Sequence, residues 1–419
     1  MGAAWALNRE HDITLYEAEG RLGGHANTVN VEDELGAVAA DTAFVVCTEA
    51  NYPNLVRLFE EIGVATEKSD MSFSWSLNDG AVELKGRAST VFARPTILFR
   101  PRVWKMTRDY LRFIKTAHQV LESGSDETLG QFLDREGYSR EFQDDLLLPL
   151  VASVWSIGVA PMREFPATTM VGFLVNHGVL EHGRQANWRA VTGGSRAYVE
   201  KLTAGFQDRI RLSTPVTGLI RDGDSVTVLD ALGGSNRYDH VVLATHSDIS
   251  LGILGEDASP QERKILGALR YQPTAAVLHR DASFMPKRKG LWCAWNYIGG
   301  PDEPGHTERP VSVTYWMNRL QNFTTAQPVL VSINPLREPR EVVARFSYAH
   351  PLFDRPAVEA QSHLDEIQGE RRTWFAGAWR GYGFHEDGLR AGLEVAQALG
   401  SPAPWGVFPV PAIRRGSPG

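Results

Sequence analysis

The stretch that most constrains the fold of this chain is residues 11–28, HDITLYEAEGRLGGHANT. Residues 13–16 alternate and branch as a short buried strand does, and the acid Glu17 follows directly. An acid at the carboxyl end of the second strand of a nucleotide-binding βαβ unit can accept hydrogen bonds from ribose hydroxyls. Taken alone, Glu17 would be an ordinary strand-end acid. The sequence RLGG at residues 21–24 favours the nucleotide-binding interpretation.

The glycine fingerprint that should precede this acid is not seen. G-x-G-x-x-G is expected to begin roughly 20 residues upstream of the acid. The chain opens instead with MGAAWAL, which is typical of the helix that follows the glycines. We therefore expect the first strand and all three glycines to be missing, which leaves strand 13–16 without one neighbour. A misassigned start codon or a clipped chain would account for this.

A second strand-loop-helix pattern lies near the carboxyl end. Residues 373–377 predict a strand ending at Gly377, residues 381–388 a glycine-containing loop, and residues 389–399 an amphipathic helix. This arrangement directs backbone N–H groups and the positive end of a helix dipole at an electron-rich group. A glycine before a helix is common in β-α turns, but the whole motif is more specific.

Together these motifs resemble those of the flavoprotein group of amine oxidases, phytoene desaturases and protoporphyrinogen oxidases. The segment YEAEGRLGGHANTV is most similar to bacterial amine-oxidase-like proteins that often accompany cyclopropane-fatty-acyl-phospholipid synthases. The resemblance implies FAD, held non-covalently because no cysteine follows Cys293. It also implies a set of cofactor-binding residues, with the backbone of Val216 on the adenine: Glu17, Arg21, Gly23, Gly24, Val216, Gly377, Asp387 and Gly388.

The predicted fold class is α/β. A Rossmann-like FAD-binding domain, lacking its first strand and glycine loop, is interleaved with an α+β substrate domain. A chain of 419 residues exceeds one ordinary core, which supports two domains. FAD-binding segments are predicted at 1–65, 191–260 and 366–400, substrate-domain segments at 66–190 and 261–365, and a proline-rich tail at 401–419.

The chemistry is expected to depend on the flavin, which accepts a hydride or an electron pair while the protein positions the substrate. We predict that His385 faces the substrate side of the flavin, with Tyr382 and Trp379 nearby. His385 stands where the resembled monoamine oxidases place a cage tyrosine, which weakens the amine interpretation. The sequence shows no acid and base at a diagnostic spacing, no metal-ligand set and no second dinucleotide fingerprint.

The first functional hypothesis is a FAD-dependent oxidoreductase that acts on an apolar substrate, such as a fatty-acyl or lipid chain. It rests on the resemblance and on a tract of aromatic residues that suits either an elongated apolar pocket or a sheet core: Trp292, Trp295, Tyr297, Tyr315 and Trp316. One alternative is a flavin amine oxidase that produces hydrogen peroxide. The other is a non-redox flavin isomerase or a catalytically impaired nucleotide-binding protein.

Composition limits the partners and the location. A net charge of -7 argues against nucleic acid. Only Cys47 and Cys293 are present, which is compatible with a reducing cytoplasm, and no export signal or membrane span is visible. A basic and aromatic run over residues 94–105 suits anionic lipid heads, although a solvated face is the simpler interpretation. The expected partners are a small apolar or lipid-like substrate, the inner membrane as a peripheral contact, and a lipid methyltransferase.

Overall fold

The computed structural model describes residues 1–77, 80, 82–85, 101–123, 125–155, 159–176, 187–300 and 311–409. The described strands, in chain order, are β1 (Leu15–Tyr16), β2 (Thr28–Val31), β3 (Val38–Asp41), β4 (Val46–Cys47), β5 (Thr66–Lys68), β6 (Phe73–Leu77), β7 (Val82–Lys85), β8 (Arg189–Val191), β9 (Ile210–Arg211), β10 (Val216–Arg221), β11 (Val226–Asp230), β12 (Ser235–Tyr238), β13 (Val241–Leu243), β14 (Arg270–His279), β15 (Trp295–Gly299), β16 (Val311–Trp316), β17 (Leu330–Ile333), β18 (Val342–Leu352) and β19 (Thr373–Phe375).

The described α-helices, in chain order, are α1 (Gly2–Leu7), α2 (Pro53–Glu61), α3 (Pro101–Thr116), α4 (Gln119–Ser123), α5 (Leu129–Arg135), α6 (Arg140–Phe142), α7 (Leu148–Trp155), α8 (Val159–Arg163), α9 (Ala167–Asn176), α10 (Arg196–Thr203), α11 (Ser247–Leu254), α12 (Pro260–Gly267), α13 (Met317–Leu320), α14 (Arg355–Gln361) and α15 (His385–Ala398). The predicted combination of nucleotide-binding elements with a larger α+β layer is confirmed.

Short parallel strands form the part of the molecule that carries both glycine motifs, here called the cofactor half. β1 pairs with β9 and β13 pairs with β19, both in parallel. β10, β11 and β12 form an antiparallel meander, as the sequence around Asp222-Gly223 predicts. Among the described strands the two parallel pairs are not hydrogen-bonded to each other. The cofactor half therefore depends on helices packed across it.

Helices α1 and α15 cross closely in the cofactor half because glycines stand at the contact. A Cβ atom on Gly2 would lie 2.6 Å from Leu389 Cδ1, and one on Gly392 would lie 2.9 Å from the amide nitrogen of Ala3. Ala3 and Leu389 belong to one buried apolar cluster. The crossing fixes the position of α15 relative to α1.

The rest of the fold is built on a seven-stranded sheet with the order β18-β14-β17-β16-β15-β6-β7. Neighbours are antiparallel except β15 and β6, which are parallel. Because side chains alternate along a strand, the aromatic tract separates onto two faces. One face, here called the aromatic face, carries Phe73, Trp75, Trp295, Tyr297 and Tyr315. Trp316 lies on the other face, against Trp292 at 5.5 Å.

A layer of helices covers the aromatic face. Buried side chains of α5, α7 and α9, such as Phe132, Val151 and Met170, join Tyr297 in one apolar cluster. The aromatic tract is thus neither wholly a pocket lining nor wholly a sheet core. Its alternate members face the helices, where a substrate layer is expected.

A buried carboxylate links the cofactor half to the sheet. Asp41 accepts hydrogen bonds from the Ser195 amide (2.9 and 3.0 Å), Ser195 Oγ (2.7 Å) and Thr28 Oγ1 (2.5 Å). Gln321 Nε2 also donates to Asp41, at 3.0 Å. A Cβ atom on Gly194, which has a φ of 86°, would lie 2.6 Å from Thr28 Cγ2. The predicted glycine turn before α10 is therefore required for this network.

Two predicted segments differ from the structure. Residues 41–46 predict one strand, but β3 ends at Asp41 and β4 begins at Val46. Phe44 lies in the connection, where its amide donates to the carbonyl of His25 at 3.1 Å. The alternating apolar pattern there serves packing against the cofactor half rather than a continuous ladder.

The other difference is the carboxyl-terminal segment, which the sequence predicts as a tail without a packed core. Ser401 Oγ donates to the carbonyl of Ala6 at 2.6 Å, and Trp405 stacks on Trp5 at 5.7 Å. Prolines prevent regular structure, but they do not prevent the tryptophan from packing. The domain boundaries remain predictions.

Candidate active site

The predicted ribose acid, Glu17, lies beside the turn into β10. Its amide donates to the carbonyl of Arg211, and its carbonyl accepts from the Thr214 amide, both at 2.9 Å. Its Oε1 accepts the amide of Glu19 at 2.9 Å, and no basic side chain in the described residues pairs with it. Within the described residues Oε2 of this half-buried carboxylate has no partner, and Thr214 lies two residues before Val216, the first residue of β10. This places the two predicted adenosine contacts together.

The glycine loop after β1 is tightly folded. Gly23 has a φ of 114°, and a Cβ atom there would lie 2.2 Å from the carbonyl oxygen of Ala26. Gly24 is exposed, and the space beside its Cα is open. The Arg21 guanidinium donates to the carbonyls of Leu22 and Gly24 at 3.4 and 3.0 Å. Arg21 therefore braces the loop, and Gly24 leaves room for a cofactor to approach the backbone.

The carboxyl-terminal motif contains a steric constraint at Gly377. A Cβ atom there would lie 2.4 Å from Trp379 Nε1. That indole N–H donates to the carbonyl of Thr245 at 3.0 Å, and the Trp379 ring is buried in an apolar cluster. The side chain therefore supports the loop after β13, and the nearness of Trp379 to a substrate stays a prediction. Gly388 differs from Gly377, since the nearest atom to its Cβ would be the Ala378 amide nitrogen at 3.5 Å.

Asp387 holds the loop between Gly377 and α15. Its Oδ2 accepts the amides of Tyr382 and Phe384, both at 3.0 Å. Burial raises the pKa of Asp387 to about 6. The structure thus gives Asp387 the role of a positioning residue, whereas direct cofactor binding by its carboxylate stays a prediction. Tyr382 connects the loop to the helical layer, because its carbonyl accepts the Trp155 indole N–H at 2.9 Å.

The first residue of α15, His385, points into the cofactor half. Its ring stacks on Phe44 with centroids 3.9 Å apart, and its Nε2 lies 2.7 Å from the Tyr198 hydroxyl. Burial lowers the pKa of His385 to about 4. The preceding residue, Phe384, stacks on Phe173 of the helical layer at 5.4 Å. Phe384 therefore packs against the helical layer and His385 against Phe44 and Tyr198, and the prediction that His385 faces the substrate side of the flavin stays a prediction.

Three histidines that the sequence prediction missed meet between the glycine loop and the sheet. His25 directly follows Gly24, His246 follows β13, and His350 lies on β18. The His25 ring centroid is 5.4 Å from that of His350 and 6.5 Å from that of His246. We call these three residues the histidine cluster. The available signal was the position of His25 immediately after the glycine pair.

The aromatic face carries two buried indole N–H groups without a hydrogen-bond partner, those of Trp75 and Trp295. Phe73 lies 4.4 Å from Trp75 and 5.4 Å from Trp295. Phe384 packs against the same apolar cluster, as does Leu352 of β18. An apolar layer thus extends from the start of α15 to the far strands of the sheet.

Other sequence predictions have limited structural counterparts. Residues 94–100 of the basic run lie outside the described residues. In the described ranges no helix is long and apolar enough to cross a membrane, and no group of histidine, cysteine and acidic side chains could hold a metal ion. Cys47 and Cys293 are buried free thiols, and Cys47 belongs to the apolar cluster that also contains Leu389 of α15.

Comparison with known proteins identifies a family. The sequence profile described as flavin containing amine oxidoreductase matches residues 1–400. No curated protein sequence matches the chain significantly.

Three solved structures show the same fold at low identity. Wild-type putrescine oxidase bound to putrescine is 13% identical, with a TM-score of 0.68, over 95% of this chain and 96% of the other. Cyclohexylamine oxidase from Brevibacterium oxydans IH-35A is 15% identical, with a TM-score of 0.67 over the same shares. A CLA-producing fatty acid isomerase from P. acnes is 13% identical, with a TM-score of 0.67, also over 95% and 96%.

Proposed function

Because the chain belongs to the family of flavin-containing amine oxidoreductases, we propose that it is a FAD-dependent oxidoreductase whose substrate is an apolar chain, such as a fatty-acyl or lipid chain. The oxidoreductase class and the FAD cofactor follow from the family. The apolar substrate is the proposal.

The residues present fit FAD. Glu17 has one carboxylate oxygen, Oε2, without a partner in the described residues, and its backbone bonds to Thr214 in the turn that leads to Val216, as a ribose and an adenine require. Gly24 leaves open space at the backbone, and the loop that starts at Gly377 leads to the amino terminus of α15. When bound, the flavin supplies the acceptor for a hydride from the substrate. The chain itself binds the cofactor, orients the substrate and excludes water.

The observation that carries the proposed substrate class is the composition of the aromatic face. Phe73 and Tyr315 pair with Trp295 across β6, β15 and β16, and Trp75 pairs with Tyr297. The described strand residues on this face include no acid that could hold an ammonium group. Burying an unpaired cation against such a surface would be costly, whereas an alkyl chain gains free energy from it.

The test is anaerobic reduction of the FAD-loaded protein by candidate substrates. Reduction is measured as the loss of visible flavin absorbance. We expect oleate and linoleate to bleach the flavin and putrescine and cyclohexylamine to leave it oxidised. Trp295→Phe, which removes an indole N–H on the aromatic face, should change the concentration dependence for the fatty acids. Trp316→Phe is the matched control, because Trp316 also has a buried unpartnered indole N–H but lies on the opposite face. Bleaching by the amines alone would refute the apolar class.

Amine oxidation is the second candidate, favoured by the neutral histidine cluster, which suits an uncharged amine. Burial lowers the pKa of His25 to about 3 and that of His350 to about 4. The same panel separates the candidates, since amine oxidation in air would release hydrogen peroxide. Conversion of linoleate without bleaching would instead indicate a non-redox isomerase.

We also propose that helix α3 rests on an anionic membrane surface. Trp104 and Leu111 protrude from it, with side chains 58% and 46% exposed. The basic residues Lys105, Arg108 and Lys115 are exposed on the same helix, where Lys105 pairs with Glu141 at 3.2 Å and Arg108 with the buried Asp109 at 2.9 Å. In a protein with a net charge of -7, this basic surface with protruding apolar groups complements anionic lipid heads.

Flotation with vesicles of phosphatidylglycerol and phosphatidylcholine tests this surface. We expect the protein to float with these vesicles and not with vesicles of phosphatidylcholine alone. The double substitution Trp104→Ala and Leu111→Ala should abolish flotation. Leu232→Ala is the control, because Leu232 is 74% exposed in a turn of the cofactor half. Equal flotation of all variants would contradict the proposal.

A peripheral membrane contact implies a location in the cytoplasm at the inner membrane, which the free thiols Cys47 and Cys293 support. Association with a lipid methyltransferase remains an expectation of the sequence resemblance.

A further inference from the structure

The histidine cluster lies where the cofactor half faces the sheet. His25 extends from the loop whose preceding residue, Gly24, is open to the cofactor. It interacts electrostatically with His385, the first residue of α15. His350 belongs to β18, the edge strand, and the next side chain on its face is Leu352, which joins the apolar cluster. The cluster therefore lies between the cofactor-binding residues and the apolar layer.

Each imidazole is held in place by a neighbouring ring or hydroxyl group. His25 lies 4.8 Å from the ring of Tyr348, whose hydroxyl lies 2.9 Å from Asn27 Nδ2 and accepts from it. His246 stacks on Tyr271 at 4.3 Å. His350 Nδ1 lies 3.0 Å from Thr274 Oγ1. The positions of the three rings are thus set by packing on separate elements.

Several imidazole nitrogens of the cluster remain without a protein partner. Within the described residues, the side chains of His25 and His246 make no hydrogen bond, and His350 uses only Nδ1. All three rings are half-buried. None of these ring nitrogens is among the fully buried unpartnered atoms of the described residues, so each can be reached by a ligand, a water molecule or a proton.

The charged groups around the cluster favour neutral imidazoles in the oxidised protein. His25 is influenced by His350, His385, His246 and Arg21, none of them acidic. His350 is influenced by His246, and the only acid acting on His246 is the exposed Asp248. Burial lowers the pKa of all three histidines, the neighbouring groups lower those of His25 and His350 further, and Asp248 acts in the opposite direction on His246, so each ring keeps one nitrogen lone pair at neutral pH.

We propose that His350 is the catalytic residue that accepts a proton from the substrate, and that His25 and His246 pass this proton towards solvent. The proposal rests on the oxidoreductase function proposed above. In the oxidation, one C–H bond breaks and its electron pair leaves as a hydride to the oxidised flavin. The neighbouring X–H bond breaks, its electrons form the new C=X double bond, and its proton bonds to Nε2 of His350. For this step Nδ1–H of His350 donates to Thr274 Oγ1.

A negative charge on the reduced flavin would raise the pKa of a nearby imidazole, so the cluster should hold the proton while the flavin stays reduced and release it towards solvent once the flavin is reoxidised. This can be measured without a substrate. The FAD-loaded protein is reduced photochemically at pH 7, and proton uptake is followed with a pH-indicator dye. We expect His350→Asn to take up about one proton fewer per flavin than the wild type. The control His118→Asn changes an exposed histidine on the helical layer and should match the wild type.

Three results would overturn the role of His350. The first is unchanged proton uptake in His350→Asn with FAD bound. The second is an equal loss of proton uptake in His118→Asn. The third is loss of FAD from His350→Asn, which would make the histidine a cofactor ligand. His25→Asn provides a second variant in case His350→Asn fails to fold, and a reduced uptake is expected there too. If no fatty acid reduces the flavin but the proton difference is present, the proposed substrate fails and the proton acceptor stands.

Discussion

Gly377 and Gly388 provide a matched pair of substitutions that separates the folding role of the carboxyl-terminal motif from its cofactor role. In Gly377→Ala, the new Cβ would lie 2.4 Å from Trp379 Nε1, so the buried indole must move. Overpacking of a core costs about 1–3 kcal/mol. Loss of the bond from Trp379 to the Thr245 carbonyl adds about 1 kcal/mol. We therefore expect Gly377→Ala to lower the free energy of unfolding by about 2–4 kcal/mol.

Gly388→Ala should behave differently, because the new methyl group would meet Ala378 at an ordinary distance of 3.5 Å. Within a helix, alanine is favoured over glycine by up to about 1 kcal/mol. The folded state should be unchanged or slightly stabilised, while FAD content falls if the cofactor approaches the first turn of α15. Urea denaturation and bound-flavin absorbance measure the two effects. A Gly377→Ala protein as stable as the wild type would refute the steric reasoning.

Three further predictions concern stability. Asp41→Ala leaves donors of Ser195 and Gln321 unpaired and should cost about 2–4 kcal/mol in urea denaturation, whereas Asp224→Asn, at an exposed acid, should cost nothing measurable. His385 has its pKa lowered to about 4 by burial, so the unfolded chain binds more protons below pH 6.5 and stability should fall as the pH drops towards 4. In His385→Gln, the slope of the unfolding free energy against pH should be smaller by the equivalent of up to one proton. A slope identical to that of the wild type would contradict the burial argument. Trp405→Ala should cost about 1 kcal/mol through lost stacking on Trp5, and no change would show that the carboxyl-terminal segment packs weakly.

The parts of the site that follow from local backbone constraints were predictable from the sequence. Glu17 directly follows β1, Gly23 occupies a position where a Cβ atom would meet the carbonyl of Ala26, and the last motif forms a strand, a loop and a helix. These features depend on a few neighbouring residues, which carry their own signal. The family resemblance rested on the same features and is confirmed by the family match.

The parts that depend on packing between distant segments were not predictable. His385 and Phe384 are adjacent, and only the packing of α15 decides that one meets Phe44 and the other Phe173. Trp379 follows Gly377 in the last motif, where no local pattern predicts that it is buried. Its indole N–H donates to the carbonyl of Thr245, and its ring lies in the core.

Strand pairing likewise determines which side chains share a face of the sheet, which composition does not predict. The aromatic tract could be assigned only once the register showed which residues share the face of Trp295. The histidine cluster joins a loop, a helix cap and an edge strand, which no local pattern connects.

The central claim is that this chain oxidises an apolar substrate with FAD, and anaerobic mixing of the FAD-loaded protein with linoleate tests it most directly. We predict bleaching of the visible flavin absorbance, with recovery when air is admitted. A flavin that stays oxidised with linoleate and oleate but bleaches with putrescine or cyclohexylamine would contradict the account.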